Sequence, residues 1–436
     1  MMYDLAVIGG GPAGYSAALE GISLGLSVIL FEKDLLGGTC LNRGCVPTKH
    51  LAHTADLYTQ MKISDIYGIS AEDVTVDFET VMKRKQDIVL RLRNGLEQMM
   101  LQKKIEIVSG EAKIIQTGKI FCSGRVYETA NILIATGSSP ADSLINGAIT
   151  SNELLELDYI PKTLTILGGG VVAVEFAHIF SSLGTKVTLC IRGERLLRKW
   201  DRELAIGITQ NLKKQGVNVM TKCSLEQMEC QEADVVLSAV GRVPNVGGIF
   251  DESLGIVLNN GIIVDESGWT GVPRIYAAGD VISGSCQLAH MGMEQGKRVA
   301  RHIAGWVLPE TATVVSCIYI HPEVATVGMD EAEAKSKGIN IITGKQIMYS
   351  NARTMISGGE RGFIKLIAKA GTLELIGAQL MCERAGDIAA ELALAINKKI
   401  TVRDLLVSVR PHPSFCETVT EAVANLLEKC QGTTDM

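Results

Sequence analysis

Two glycine-rich turns, each set between an apolar run and a helix-like stretch, constrain this 436-residue chain more than any other feature. The first apolar run, residues 4–8, leads into Gly9-Gly-Gly11-Pro-Ala-Gly14. A helix-like stretch over 14–24 follows, then a second apolar run, 27–31, that ends in Glu32. That order predicts a βαβ unit with its glycines at the first turn. Each glycine has its own task in binding a dinucleotide. Gly9 makes the tight turn, Gly11 lets the backbone approach a pyrophosphate, and Gly14 lets helix and strand pack closely. The helix N-terminus then faces the phosphate charge, and Glu32 is placed to bind ribose hydroxyls. A lone G-x-G-x-x-G is weak evidence and can be a glycine turn with no ligand; this one comes with its strand, helix and acid.

The pattern returns later in the chain. Residues 163–167 form an apolar run, Gly168-Gly-Gly170-Val-Val-Ala173 follows with alanine in the third place, 172–183 reads as helix and 186–191 as strand. Two separate nucleotide-binding units are expected. The second lacks the acid: its strand runs into Arg192, with Arg198 six residues on. Arginines there suit a 2′-phosphate, which a guanidinium binds through paired charge-assisted hydrogen bonds, whereas a carboxylate would repel it. The reading favours NADP(H) over NAD(H). The alternative is that Arg192 and Arg198 are solvated charges on an exposed loop.

From about residue 316 the texture changes. Strand-like segments at 324–329, 363–369 and 373–381 have no helix between them, and helices follow over 385–397 and 417–428. This is an α+β arrangement, an antiparallel sheet with helices on one face. The net charge of −6, with no Lys/Arg-rich run, argues against a nucleic-acid partner. Residues 5–31 are apolar enough to suggest a membrane segment or signal peptide, but they carry six glycines and Glu20 and lack a basic leader. The 11 cysteines are scattered and odd in number, unlike the disulfide framework of a small secreted domain. A cytoplasmic protein with no membrane partner is expected.

Just after the first unit lies Gly37-Gly-Thr39-Cys40-Leu-Asn-Arg43-Gly-Cys45-Val-Pro47-Thr-Lys49. Cys-x₄-Cys is not a usual zinc spacing. Its position suggests a disulfide that exchanges with a substrate. A helix N-terminus signalled by Pro47, with basic Arg43 and Lys49, would favour the thiolate such exchange needs. Structural thiols or a static disulfide also fit the spacing.

This segment resembles the active-site motif of the glutathione reductase/dihydrolipoamide dehydrogenase family, the pyridine nucleotide–disulfide oxidoreductases. The resemblance extends over nearly the whole chain: Ala135-Thr136-Gly137, Gly241-Arg-Val-Pro-Asn245, Ala277-Ala-Gly279-Asp280 and Leu288-Ala289-His290 all look like family segments. Towards the C-terminus, His321-Pro-Glu-Val-Ala-Thr-Val-Gly328, Asn351-Ala-Arg353, Arg384-Ala-Gly386 and His412-Pro-Ser-Phe-Cys-Glu417 resemble the dihydrolipoamide dehydrogenases most. The resemblance implies an α/β fold with two Rossmann-like dinucleotide-binding domains plus a C-terminal α+β dimerisation domain. FAD would be bound by residues 1–145 and 265–315, NAD(P) by 146–264, and dimerisation would fall to 316–436.

The resemblance also implies the site. Cys40 and Cys45 form the redox disulfide, His412 is the acid/base oriented by Glu417, and Lys49 pairs with Glu175 beside the flavin. Thr39, Lys49, Thr136, Gly137, Gly279, Asp280 and Ala289 join the glycines and Glu32 as cofactor contacts, as does Gly241 with the second glycine turn. Because the His–Glu pair serves the other subunit's site, a homodimer is implied. The substrate implied is a lipoyl-bearing protein or free lipoamide. The arginine pair departs towards glutathione reductases, so an NADPH-dependent glutathione-type disulfide reductase is the alternative. A further alternative is a role mainly as a docked subunit of a lipoyl-bearing multienzyme complex. The nucleotide unit looks shortened over 218–233, and Cys416 stands beside Glu417 where many relatives carry a small non-thiol residue. Ser414-x-x-Glu417 is also a legitimate capping box for the last helix.

Overall fold

The structure is a computed structural model that describes residues 2–143, 145–224, 226, 227, 233–359 and 362–432. The chain divides into two compact units. The first comprises Met1–Leu51, Val76–Tyr159 and Val240–Thr311; the second comprises Ala52–Thr75, Ile160–Ala239 and Ala312–Met436.

In the first unit the apolar run becomes the strand Met2–Ile8, the helix Pro12–Ser23 follows the glycines, and the strand Val28–Glu32 lies parallel to the first. Successive residues of both strands are buried, as expected where helices and further strands cover both faces. The sheet continues with Glu106–Ser109 on one side and Arg125–Ile134 on the other, both parallel. One end of Arg125–Ile134 pairs antiparallel with Lys119–Cys122, which pairs with Lys113–Gln116; its other end pairs parallel with Ile275–Ala277. The late return of the chain at Ile275 therefore completes the sheet begun by the first residues. A separate two-stranded ribbon pairs Arg242–Pro244 with Ser138–Pro140.

In the second unit a four-stranded parallel sheet runs in the order Asn218–Met220, Lys186–Cys190, Thr163–Leu167, Val235–Ser238. Its helix, Val171–Ser182, is buried from Ala173 to Phe180, Glu175 and His178 included. Part of the segment 218–233 that looked shortened lies outside the described residues.

The α+β texture is a five-stranded antiparallel sheet in the same unit, ordered Val315–Ile318, Val324–Gly328, Leu375–Met381, Phe363–Lys369, Ile341–Ile347. Its core joins inward residues such as Ile364, Leu366, Leu380 and Ala378 to Leu392 of the helix Ala385–Asn397 and to Val419, Val423 and Leu426 of the helix Glu417–Gly432. Each of these Leu, Ile and Val side chains, fully buried, contributes about 1.5–3 kcal/mol. That packing fixes the start of the last helix, and with it the loop ahead of Glu417. No helix among the described residues is long and apolar enough to cross a membrane.

Candidate active site

The first glycine turn has the backbone its fingerprint requires. Gly9 takes φ 105°, a region that disfavours side chains, and a Cβ added at Gly14 would stand 1.8 Å from the Gly9 carbonyl oxygen. At Gly11 the nearest atom to an added Cβ is Gly38 Cα, 3.8 Å away, and the helix Pro12–Ser23 starts there with no side-chain cap. Glu32 closes the turn: Gly10 N–H donates to its Oε2 at 2.6 Å and Asp34 N–H to its Oε1 at 2.8 Å. The carboxylate is thus held at the tip of the second strand. This cradle fits the pyrophosphate and ribose of a dinucleotide.

The cysteines lie against the same turn. Gly38, in the left-handed region at φ 58°, starts the short helix Gly38–Arg43; a Cβ there would meet Gly11 Cα at 2.6 Å. Cys40 sits on that helix, and Cys45 opens the helix Cys45–Lys62. They are joined by a disulfide, with Cα atoms 4.7 Å apart, and both are half-buried. Thr39 is exposed at the same helix start, and Lys49 lies one turn beyond Cys45, half-buried. Arg43 is paired with Asp34. Asn42 Nδ2 donates to the Leu36 and Gly38 carbonyls and ties the short helix to the loop before it.

The family-like segments of the first unit converge through hydrogen bonds. Thr136 Oγ1 donates to Asn245 O at 2.7 Å, Asn245 Nδ2 returns to Thr136 O at 3.0 Å, and Asn245 N–H donates to Gly137 O at 2.9 Å. Ser138 Oγ donates to Asp280 Oδ2 at 2.7 Å while accepting from Arg242 Nε at 2.8 Å. Arg242 Nη2 also donates to Ser138 O at 2.6 Å. Burial draws the Arg242 guanidinium below its ordinary range, and Asp280 opposes that shift. Gly279 N–H donates to Gln295 Oε1 of the helix Ala289–Ile303, which begins at Ala289. Gly241 accepts from Ala141 N–H at 3.0 Å. Ser138 and Gln295 escaped sequence reading, and Arg242 was read only as part of a motif, because their partners lie far along the chain.

In the second unit, Gly168 takes φ 128°, Gly170 caps the helix with open space where its Cβ would be, and Ala173 is fully buried. Arg192 and Arg198 are both exposed on the loop after Lys186–Cys190. Glu175, 4% exposed, accepts from Tyr319 N–H at 3.0 Å. Lys49 belongs to the other unit.

His412 and Glu417 are brought together. His412 Nδ1 lies 2.8 Å from Glu417 Oε1, and Ser414 N–H donates to Glu417 Oε2 at 2.7 Å. One carboxylate therefore both orients the histidine and caps the helix, so the two sequence readings of Glu417 are two oxygens of one group. The Ser414 N–H, then His412, hold the Glu417 carboxyl below its usual range. The capping box is half-formed, since Ser414 Oγ turns to Cys416 Sγ at 3.1 Å. Cys416 is a half-buried free thiol. Nδ1 is thus engaged, and the His412 side chain is 74% exposed.

The loop is held from both sides. Asn351, 3% exposed, donates from Nδ2 to Ser414 O at 2.9 Å and accepts at Oδ1 from Thr354 N–H and Oγ1. Arg410 Nη2 pairs with Glu391 at 2.6 Å and Nη1 donates to Thr420 Oγ1 at 2.9 Å.

Residues 3–296 match the family model described as pyridine nucleotide-disulphide oxidoreductase, and residues 314–423 match its dimerisation domain. The chain belongs to this family. It is an enzyme, a flavoprotein disulfide oxidoreductase that uses FAD and a pyridine nucleotide, and the glycine cradle and disulfide fit that assignment. Similar proteins include the dihydrolipoyl dehydrogenase of Geobacillus stearothermophilus, 35% identical with 96% of this chain and 95% of the relative covered. That of Mycoplasma pneumoniae is 32% identical, with 98% of each covered. Among solved structures, LpdA from Mycobacterium tuberculosis superposes with a TM-score of 0.89 at 25% identity over 97% of this chain and 99% of that one. The HOCl-induced flavoprotein disulfide reductase RclA from Escherichia coli gives 0.87 at 27%, with the same coverage.

Proposed function

We propose that the protein is a dihydrolipoyl dehydrogenase, oxidising dihydrolipoyl groups and passing the electrons to a nicotinamide nucleotide. What carries the reading is the Cys40–Cys45 disulfide beside the first glycine turn, in a chain 35% identical over 96% of its length to an enzyme of that name. His412, fixed by Glu417, takes the proton from a substrate thiol. The thiolate attacks Cys40 Sγ, breaking the Cys40–Cys45 bond and leaving a mixed disulfide and a Cys45 thiolate. The second substrate thiol closes on the first sulfur and releases Cys40, so that the substrate dithiol is oxidised and the cysteine pair reduced. FAD, when bound, supplies the two-electron link between this pair and the nicotinamide.

Gly9, Gly11, Gly14, Glu32 and Asp280 would hold the FAD, with Thr39, Lys49, Thr136, Gly137, Gly279 and Ala289 around it; the family pattern assigns Lys49 and Glu175 to the flavin side. Gly168, Gly170, Ala173 and Gly241 would receive the nicotinamide nucleotide. NADP(H) is favoured because Arg192 and Arg198 are exposed together on the loop where a 2′-phosphate would lie. Residues 1–145 with 265–315, 146–264 and 316–436 then serve FAD, nucleotide and dimer respectively. The protein works as a cytoplasmic homodimer, each subunit's His412–Glu417 pair serving the disulfide of the other.

The same arginines favour a second reading, a glutathione-type reductase. Lipoamide reduction by the FAD-loaded protein tests both, with kcat/KM compared for NADPH and NADH. Preference for NADPH supports the whole proposal, and preference for NADH keeps the chemistry while reducing Arg192 and Arg198 to surface charges. No activity with either nucleotide overturns the lipoamide assignment.

A further inference from the structure

Arg195 lies between the two arginines and is used differently from either. Its guanidinium turns back into its own loop: Nη1 donates to Leu197 O at 3.1 Å and Trp200 O at 3.2 Å, and Nη2 to Arg198 O at 2.8 Å and Trp200 O at 3.2 Å. Three carbonyls are thus gathered by one rigid fork, which a flexible ammonium on a lysine stem cannot reproduce.

The loop needs such a clasp. Leu197 takes φ 50°, a conformation a leucine adopts only when its surroundings over-determine it. In that conformation its N–H donates to Gly169 O at 2.7 Å, so the arginine loop is bonded to the middle of the second glycine turn. Arg198 folds over Gly193: its Cδ lies 3.2 Å from where a Cβ on Gly193 would stand, immediately beside Arg192. The far end is anchored at Asp201, 7% exposed. Its Oδ1 caps the helix Arg202–Lys214 by accepting from Glu203 and Leu204 N–H, and its Oδ2 accepts from the buried Lys365 at 2.9 Å. Lys365 is tied in turn to Glu331 at 2.9 Å.

We propose that Arg195 is a positioning residue for nucleotide selectivity: it clasps the 192–201 loop against the glycine turn and so sets Arg192 and Arg198 as a preformed receptor for a ribose 2′-phosphate. Arg195 does not touch the phosphate. The inference rests on the NADP(H) reading above and adds to it the residue that shapes the site.

The test is titration calorimetry of 2′,5′-ADP and 5′-AMP into the FAD-loaded protein, for the unaltered chain, Arg195→Lys and Arg192→Ala. The two probes differ by the 2′-phosphate alone, so the ratio of their affinities cancels any loss of folded protein. The unaltered chain should bind 2′,5′-ADP the more tightly. Arg195→Lys keeps the charge and should erase about tenfold of that preference, as Arg192→Ala does, with 5′-AMP affinity unchanged within about twofold. If the unaltered chain shows the preference and Arg195→Lys retains it, the clasp is overturned while the NADP(H) reading stands. If the unaltered chain shows no preference, that reading falls and the inference falls with it.

Discussion

Replacing Asn351 with alanine should weaken the fold and the chemistry by separable amounts. The buried amide makes three hydrogen bonds, to Ser414 O at 2.9 Å and from Thr354 N–H at 3.0 Å and Oγ1 at 3.2 Å. Each is worth about 1 kcal/mol net, and the buried Thr354 amide and Ser414 carbonyl lose these partners, so a loss of about 3 kcal/mol is expected from urea unfolding of the holoprotein. The functional effect is of a different kind. Ser414 is the residue whose N–H holds Glu417, and Glu417 holds His412. A displacement near 1 Å at such a group costs about 100-fold in kcat/KM, which should appear with dihydrolipoamide as substrate. Oxidation of the nicotinamide by ferricyanide, which by-passes the thiol step, should stay near the unaltered rate. Loss of stability with dihydrolipoamide kcat/KM unchanged would refute the positioning argument, and equal loss in both assays would show general damage instead.

Glu417→Gln should lower kcat for dihydrolipoamide by about 10²-fold, the usual scale for a disrupted acid–base group. Because the Glu417 carboxyl is held below its usual range, its bonds to Ser414 and His412 are present above the ordinary carboxylate pKa of 4.5 and are lost only as pH falls below it. A kcat profile in the unaltered enzyme should therefore carry no inflection from Glu417 above about pH 5, and one that Glu417→Gln removes would contradict this. Gly14→Ala would place a Cβ 1.8 Å from Gly9 O, so the purified protein should lose its flavin absorbance; a full FAD complement would show that the turn yields. Lys365→Met leaves Asp201 buried without its cation and should cost about 3–5 kcal/mol in urea unfolding, a smaller loss marking the pair as dispensable.

The glycine turns were legible because backbone geometry leaves few residues any choice there: φ 105° at Gly9 and the packing at Gly14 demand glycine, and the flanking strands are apolar on both faces. The last two helices were legible from their apolar stripes, and the first residues of both, Ala385 and Glu417, agree with the sequence reading. Two strands of the C-terminal sheet, Val315–Ile318 and Ile341–Ile347, went unread. Both are edge strands, only partly buried, and so lack the alternation that marks a half-buried strand. Ile341–Ile347 also carries Gly344, which lets the helix Glu417–Gly432 approach so closely that a Cβ would stand 2.1 Å from Ala422 O. The candidate site residues stood in motifs, as did Asn351 and Arg242, but the partners these two support did not follow from any motif. Asn351 reaches Ser414 across 63 positions and Arg242 reaches Ser138 across 104, and no local pattern encodes such pairs. Arg195 was hidden differently, as one arginine among three in a short loop.

In the proposed function the Cys40–Cys45 disulfide accepts electrons from a dithiol and hands them on. The decisive assay is dihydrolipoamide-dependent reduction of NADP⁺ and NAD⁺ by the FAD-loaded protein and by its Cys45→Ser variant. The unaltered protein should turn over with one or both nucleotides, and Cys45→Ser should not turn over at all even though its flavin is retained. Turnover by the variant at a rate near that of the unaltered protein would contradict that role of the disulfide.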